Sequence, residues 1–315
     1  MALARAALPQ LNGTTCLTDG GLETHLIFNE GQVLPHNAAF VLNKTEEGRE
    51  TMRSYYRAYI PHAKSSGMPF ILDTNTWRTN PDWAALLGYD ERAMREANQA
   101  AVKLNEEVAA EFHAAGVKTL ISGAMGPRRD AWQYDGAMTV DEAYAYHTPQ
   151  IEAFAGVSTD YVTCMTLTNA PEAIGVARAA EKAGIQAILS FTVETDGNLP
   201  GGRPLRDVIA ETDDATGGYP VHYMINCAHT SHFERLIERP ESWLNRVQGI
   251  RSNASMKSHA ELDESPTLDP GDPADLARRY RKLLDAMPQI RVIGGCCGTD
   301  HRHIGAICTH LDHRH

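Results

Sequence analysis

Three cysteines in the C-terminal half of the chain have the residue types and spacing of a metal site. Cys296 and Cys297 are adjacent in the run Gly294-Gly295-Cys296-Cys297-Gly298-Thr299, and Cys227 lies upstream, after a short apolar run. Neighbouring cysteines bridge each other only with strain, so the pair favours another use. Three converging thiolates suit Zn²⁺, which prefers sulfur in tetrahedral geometry, and three protein ligands leave the fourth position open. We expect the glycines to let the backbone turn sharply enough to aim both sulfurs at one ion.

For these cysteines to meet, the fold must bring distant segments together, and a regular pattern indicates how it does so. Short β-rich apolar runs recur, each followed by a turn and a segment of helical period. The runs cover residues 15–18, 69–73, 117–122, 161–166, 187–193, 221–225, 247–251 and 291–293. Eight such units predict an α/β protein, with one (β/α)₈ TIM barrel domain over residues 1–315. A doubly wound open sheet is the rival, but the first turn, Asp19-Gly20-Gly21, lacks the GxGxxG spacing of a dinucleotide site.

The segments between the apolar runs carry the signals of helices. Asn169 and Glu172 have the spacing of a capping box, and Gly184 marks where that helix should end. Asp272 before Pro273 predicts another helix start, with an N-cap followed by proline at the first helical position. The faces of three predicted helices step by three or four residues: Met94, Ala97, Ala101, Leu104, Val108 and Phe112; Val140, Tyr144, His147, Ile151 and Phe154; Leu276, Tyr280, Leu283 and Met287. Residues 252–271 are polar and contain proline, and we predict a long loop there.

The mouth of such a barrel is where the three cysteines are expected to meet. Active sites of this fold lie at the C-terminal ends of the strands. Cys227 follows the sixth predicted strand and the adjacent pair follows the eighth, so all three face the same mouth. An isolated cysteine is more often a small buried hydrophobe. A cysteine at one strand end with a glycine-flanked pair at another favours a zinc site over a chance arrangement.

The composition limits the classes of partner. The chain has 315 residues, 43% hydrophobic and 22% charged, which excludes a disordered or disulfide-scaffold protein. Its net charge of −11 argues against nucleic-acid binding and against adsorption to an anionic membrane. No apolar run approaches the ~18 residues of a membrane span, and the first residues lack the apolar core of a signal peptide. We therefore expect a cytoplasmic protein with its six cysteines reduced.

The glycine-flanked cysteine pair, together with Asn226-Cys227 and Asp19-Gly20-Gly21, resembles the homocysteine S-methyltransferase family. The similarity covers nearly the whole chain in the right order. It implies a zinc-containing barrel in which Cys227, Cys296 and Cys297 hold the metal. It also implies a thiol-substrate pocket lined by Asp19, Gly20, Gly21, Thr74 and Asn226. Asp19 would orient the substrate or receive the released proton.

The reaction implied by this resemblance is methyl transfer between two small molecules. The zinc-bound thiolate of a homocysteine-like acceptor would attack the methyl group of a sulfonium, quaternary ammonium or similar donor, giving methionine or a related thioether. Two alternatives remain open. One is a zinc-thiolate barrel enzyme acting on a different small sulfur or nitrogen compound. The other is a non-catalytic barrel that binds a small ligand. The sequence leaves the oligomeric state open, a homo-oligomer included.

The end of the fourth strand departs from the family pattern. Typical members have a Glu-Thr-x-Pro-Asn-like segment whose glutamate is understood to hold the amino group of homocysteine. Here the segment reads Met165-Thr166-Leu167-Thr168-Asn169. Either a neighbouring acid such as Glu194 or Asp196 takes over, or the acceptor is not homocysteine. If Met165 faces the pocket, restoring the acid by Met165→Glu should improve the use of homocysteine.

Aromatic residues on predicted loops give a further hypothesis. Trp77, Trp132 and Tyr134 follow the second and third strands and could surround a cationic methyl donor by cation–π attraction. Ordinary packing accounts equally well for each.

Overall fold

Eight parallel strands close into a barrel in a computed structural model that describes residues 7–130, 138–238 and 241–312. Each strand pairs with the next along the chain, and β1 pairs with β8 to close the sheet. The strands are β1 (Cys16–Leu17), β2 (Phe70–Asp73), β3 (Thr119–Met125), β4 (Tyr161–Leu167), β5 (Ala187–Phe191), β6 (Tyr223–Asn226), β7 (Val247–Ser252) and β8 (Val292–Gly295). The (β/α)₈ barrel and the location of every predicted strand are confirmed.

Helices alternate with the strands along the chain. In order they are α1 (Leu22–Thr24), α2 (Glu46–Arg57), α3 (Ile60–Ser66), α4 (Pro81–Leu86), α5 (Glu91–Ala114), α6 (Val140–Ala155), α7 (Ala170–Ala183), α8 (Leu205–Thr216), α9 (Glu234–Glu238), α10 (His259–Asp263), α11 (Pro273–Ala286) and α12 (His301–Asp312). None of the described helices combines the length and apolar character needed to cross a bilayer.

The helix boundaries follow from local capping chemistry. The Asn169 side chain accepts a hydrogen bond from the Glu172 amide at 2.9 Å, which satisfies a free N–H at the start of α7. This helix ends at Gly184, whose φ of 67° lies in the left-handed region that glycine adopts without strain. Asp272 caps α11 through the Ala274 amide at 2.8 Å, directly before the helix begins with proline. These predicted boundaries are confirmed.

The core has two layers. A small cluster fills the barrel interior with side chains from seven strands, closed by Leu8: Cys16, Ile71, Leu120, Tyr161, Ile188, Met224 and Val292. A larger cluster lies between the strands and the surrounding helices. It includes the predicted face of α11 and part of the faces predicted for α5 and α6, namely Leu104, Val108, Phe112, Ile151 and Phe154. The packed interior leaves the loops at the C-terminal strand ends to form the site.

Two segments differ from the sequence prediction. Strand β3 continues to Met125, because Gly123, Ala124 and Met125 pair in register with β4. The predicted long loop over residues 252–271 contains the short helix α10. Ser258 and Glu261 form a capping box at its start, with each side chain bonded to the other residue's amide. The helix is only five residues long, too short to produce an apolar period.

Candidate metal and substrate site

The three cysteine sulfurs lie together at the mouth of the barrel. The Sγ atom of Cys227 is 2.7 Å from that of Cys296 and 3.5 Å from that of Cys297. All three sulfurs lie within 4.8 Å of one another. Strand pairing explains the meeting, because Asn226 of β6 pairs with Arg251 of β7, which pairs with Gly294 of β8. The segments after β6 and β8 therefore leave the sheet at the same level.

The glycines around the cysteine pair serve two different purposes. Gly294 and Gly295 belong to β8, where an added Cβ would lie 1.9 Å from the hydroxyl oxygens of Thr18 and Thr299 respectively. Gly298 is the member of the three with a positive φ, 80°. The prediction that all three permit a sharp turn was therefore wrong for the first two. They are required because β8 packs closely against its neighbours.

The backbone that carries Cys227 is held in an unfavourable conformation. Its φ of 57° lies in the left-handed region, which costs a non-glycine residue of order 1–3 kcal/mol. Three side chains hold its carbonyl oxygen: His259 Nε2 donates at 2.7 Å, Asn253 Nδ2 at 2.9 Å and Thr192 Oγ1 at 3.5 Å. His259 Nδ1 in turn lies 3.2 Å from the Glu194 carboxylate. Helix α10, which was not predicted, thus supplies the group that fixes the first cysteine.

The three thiols of the cluster differ in the direction in which their pKa values are shifted. Hydrogen bonds from Cys227 and Cys297 hold the pKa of Cys296 well below its usual range, and the nearby Arg251 guanidinium acts in the same direction. The pKa of Cys227 is raised by the same sulfur contacts. Three sulfur donors at one point, one of them with a lowered pKa, could hold a metal ion, which would displace the protons that remain on the sulfurs.

Beside the cysteines, Arg251 connects two buried carboxylates across the mouth. Its Nη2 donates to Asp19 Oδ1 at 2.5 Å, its Nη1 donates to Asp73, and its Nε donates to the Gly295 carbonyl at 3.0 Å. Tyr55 donates to the second oxygen of Asp19 at 3.0 Å. Burial raises the pKa of Asp19 to about 6 and also raises the pKa of Asp73, while Arg251 opposes both shifts. We call Asp19, Asp73 and Arg251 the ion cluster.

A cavity of about 380 Å³ opens above both groups. This volume is typical of a small-molecule site. The three cysteines and the ion cluster line it, and so does Glu23 of α1. Burial raises the pKa of Glu23 to about 7. Its carboxylate forms no ion pair with any residue in the described part of the chain.

The family model for homocysteine S-methyltransferase matches residues 16–311, which is nearly the whole chain. The chain belongs to the homocysteine S-methyltransferase family. The Escherichia coli homocysteine S-methyltransferase is 27% identical to it over 291 residues, 86% of each protein. This membership bears out the resemblance that was inferred from the cysteine and glycine motifs, and with it the class of methyltransferases.

Solved structures agree with the fold. The metallated form of the homocysteine methyltransferase MmuM from Escherichia coli matches with a TM-score of 0.71 and 24% identity, covering 94% of this chain and 96% of that one. Its oxidized form matches with a TM-score of 0.73 and 23% identity, covering 96% and 98%. At this identity the likeness supports the barrel architecture.

The residues that the family resemblance implied for the substrate pocket all border the cavity. They are Asp19, Gly20, Gly21, Thr74 and Asn226. Several of their polar groups already have protein partners: the Gly20 amide donates to Tyr59 Oη at 3.0 Å and the Gly21 amide to the Thr299 carbonyl at 3.0 Å. Asn226 Oδ1 accepts from Ser190 Oγ at 2.6 Å, while its Nδ2 lies 4.0 Å from Cys296 Sγ.

Met165 and Glu194 have different positions relative to the cavity. Met165 borders it, and its Sδ lies 3.7 Å from Arg251 Nη1. Glu194 pairs with His259 and is not among the residues that line the cavity. Asp196 is exposed and bonds to Asn198. The structure therefore brings neither of the two proposed replacement acids into the cavity wall.

Four contributors to the site had no assigned role in the sequence analysis: Glu23, Asp73, Arg251 and His259. A signal existed for Asp73, which stands at a strand end where polar residues of a barrel are functional candidates. Trp77 borders the cavity, but Arg78 already stacks on its ring, with the guanidinium carbon 4.0 Å from the centroid. Trp132 and Tyr134, the other two aromatic candidates, lie outside the described residues.

Proposed function

We propose that this protein transfers a methyl group from an activated small-molecule donor to the sulfur of homocysteine or a closely related thiol. The observation that carries this proposal is the meeting of three cysteine sulfurs at one point in the wall of a substrate-sized cavity. Family membership supports the same reaction class. The donor class that fits is a sulfonium or quaternary ammonium compound, whose positive charge makes its methyl group electrophilic.

The metal we propose for the three sulfurs is zinc, held by Cys227, Cys296 and Cys297. The donor set supports this choice, since three thiolates with a fourth position open are a ligand arrangement of catalytic zinc. Tetrahedral zinc with bonds of about 2.3 Å holds its sulfurs about 3.8 Å apart. The Cys227–Cys297 contact of 3.5 Å is close to that separation, and the Cys227–Cys296 contact of 2.7 Å would lengthen by about 1 Å on binding. When bound, zinc would lower the pKa of an acceptor thiol so that the thiolate is present at neutral pH.

The transfer itself is a single displacement. The acceptor sulfur, as thiolate, forms a bond to the methyl carbon while the bond from that carbon to the donor's sulfur or nitrogen breaks. The donor leaves with the electron pair, and its positive charge is lost. No covalent enzyme intermediate is required, so the protein acts by positioning the two substrates in line.

The cavity wall divides this work between two surfaces. Near the cysteines it is polar, and we propose that Asp19 orients the acceptor there; both of its oxygens are engaged by Arg251 and Tyr55, so it is a positioning group rather than a free base. Other parts of the wall are apolar, with Ile27, Phe28, Leu262, Leu268 and Trp77. This apolar surface would exclude water from the reacting sulfur and cover the donor.

A direct assay of methyl transfer tests the proposal. Reduced, zinc-loaded protein is incubated with homocysteine and either S-methylmethionine or glycine betaine, and methionine formation is followed by mass spectrometry with an isotopically labelled donor methyl group. We expect labelled methionine with one of the two donors. If neither donor gives labelled methionine or any other methylated thiol from a panel of small thiols, the proposed reaction is wrong, and a different small-molecule chemistry at the cysteine cluster is favoured.

A further inference from the structure

The charges around the cavity are unevenly balanced. Five acidic side chains border it, and four of them are accounted for. Asp19 and Asp73 are held by Arg251, Asp269 is bonded to Ser255, and Asp263 is exposed to solvent at the rim. The fifth is Glu23, which forms no ion pair within 4.0 Å in the part of the chain that the structure describes, although the Arg251 and Arg78 guanidinium groups act on it from a longer distance. A carboxylate that lines a cavity and has no cation in direct contact is suited to bind a positively charged group of a ligand.

Glu23 lies on the same wall as the cysteine pair. Helix α1, which carries it, packs on the loop after β8: Thr24 Oγ1 accepts from the Gly298 amide at 3.1 Å. The chain at Gly21 comes so close that a Cβ there would lie 2.5 Å from the Cys296 carbonyl oxygen. The Glu23 carboxylate is close enough to Cys296 for the two to interact electrostatically. In homocysteine, two methylene groups separate the sulfur from the carbon that carries the ammonium group. The sulfur and the ammonium group are therefore also close together.

The part of the wall beside Met165 is unfavourable for an ammonium group. Met165 of β4 carries no charge, and Arg251 Nη1 lies 3.7 Å from its sulfur. An acceptor cation directed to this side would approach a buried guanidinium without meeting a free carboxylate, since both carboxylates of the ion cluster are already bonded to that guanidinium. Desolvation makes such like-charge contact costly.

We propose that Glu23 binds the α-ammonium group of the thiol acceptor, so that the cation subsite lies beside β1 instead of beside β4. This inference rests on the proposed function, because it assumes an amino-acid thiol as acceptor. Burial is the largest cause of the raised pKa of Glu23, about 7; its own backbone amide and the more distant Arg251 lower that pKa, and Cys296 and Asp19 raise it. Arg251 then acts as a specificity residue that excludes a cation from the neighbourhood of Met165.

The test compares two thiols that differ only in the amino group. Homocysteine and 4-mercaptobutyrate are titrated into reduced, zinc-loaded full-length protein by calorimetry, with wild type, Glu23→Gln and the rim variant Asp263→Asn as matched control. We expect wild type and Asp263→Asn to prefer homocysteine. Glu23→Gln should weaken homocysteine binding by about 10- to 100-fold and leave 4-mercaptobutyrate binding within about twofold. Zinc content and the unfolding midpoint, measured on the same samples, should not change.

The possible results separate this inference from the proposed function. An unchanged preference for homocysteine in Glu23→Gln overturns the assignment, even if methyl transfer is observed. An equal loss of affinity for both thiols in Glu23→Gln also overturns the assignment. A raised KM for a cationic donor with the thiol preference intact would assign Glu23 to the donor and also overturn the inference. A lost preference without any methyl transfer supports the Glu23 assignment and counts against the reaction. If wild type binds neither thiol, both are wrong.

Discussion

The cysteine cluster and the ion cluster occupy the same mouth, but they differ in how complete they are. Arg251 satisfies one oxygen of each of two buried carboxylates and also bonds to the Gly295 carbonyl, so the ion cluster is closed within the protein. The three cysteine sulfurs contact one another and the Asn226 amide, and Cys296 also accepts from the Cys297 backbone amide. The ion cluster is therefore suited to stabilise the fold and to select among ligands, and the cysteine cluster is suited to bind an added ion.

This difference has a consequence for mutation. Removing one member of a closed buried ion pair leaves an uncompensated charge and should damage the fold. Removing one sulfur from an open cluster should abolish ion binding and leave the packed barrel beneath it intact, because the cysteines stand on loops above the core. The predictions below test this division from its strongest consequence to its weakest.

The largest effect is expected for Cys296→Ala. Loss of the Cys296 sulfur should reduce the zinc content from about one ion per chain to near zero. It should also abolish methyl transfer, since two thiolates no longer provide a catalytic zinc site. Elemental analysis, activity and thermal unfolding of the apo forms provide the measurements. Cys308→Ala, a buried cysteine outside the cluster, is the matched control and should retain its zinc. A Cys296→Ala protein with full zinc and turnover would remove that residue from the ligand set.

The next effect is on stability and concerns Arg251→Met. Asp19 and Asp73 would face each other without a cation, and we expect the free energy of unfolding to fall by about 3–5 kcal/mol. Arg206→Met, which removes an exposed arginine paired with Asp207, should change it by less than about 1 kcal/mol. Urea unfolding of both variants makes the comparison. Equal, small losses would show that the ion cluster does not stabilise the fold.

The deficit of Arg251→Met should also depend on pH. Burial raises the pKa of both carboxylates, and loss of the guanidinium that opposes this shift would raise them further. Acids with a folded-state pKa above the unfolded value destabilise the fold as pH rises through that range. The difference in unfolding free energy between wild type and variant should therefore be larger at pH 8 than at pH 5. A deficit that is constant over this range would contradict the assignment to the two carboxylates.

The two regions also differ in how far sequence reasoning could find them. Strands, helix ends and the cysteine motif depend on neighbours a few residues apart, so period, capping residues and a glycine-flanked pair were enough to predict them. Arg251 was recognised only as the end of a strand. Its carboxylate partners are 178 and 232 residues away along the chain, and a strand pattern does not tell which inward-facing charges will meet across a barrel. Glu23 was missed for a similar reason, since a short turn after β1 gives no signal that its side chain reaches a cavity.

A smaller effect on the metal is expected from His259→Ala. This change removes the Nε2 donor from the Cys227 carbonyl, which holds a strained backbone at the first sulfur. Outer partners of metal ligands typically contribute 10- to 100-fold to metal affinity, and we expect about tenfold weaker zinc binding in a competition assay with a chromophoric chelator. Glu194→Gln keeps a hydrogen-bond acceptor for His259 and should change zinc affinity by less. Unchanged affinity in His259→Ala would show that the other two donors to this carbonyl, Asn253 and Thr192, hold the loop without it.

The smallest effect concerns Met165→Glu, for which the sequence analysis expected improved use of homocysteine. The structure gives a reason to expect little improvement. A carboxylate introduced at this position would stand beside Arg251 Nη1, now 3.7 Å from the methionine sulfur, and would form a charge-assisted bond with the guanidinium instead of remaining free for a substrate ammonium. We expect homocysteine binding to improve by less than about threefold over wild type, with Met165→Gln as the neutral control.

A gain of tenfold or more that is specific to the acidic variant, and absent with 4-mercaptobutyrate, would mean that the cation subsite lies beside β4 after all. In that case Arg251 would not exclude cations from that wall, and Glu23→Gln should leave the preference for homocysteine unchanged. The two variants therefore make opposite predictions about one subsite, and the pair of titrations decides which wall of the barrel recognises the acceptor.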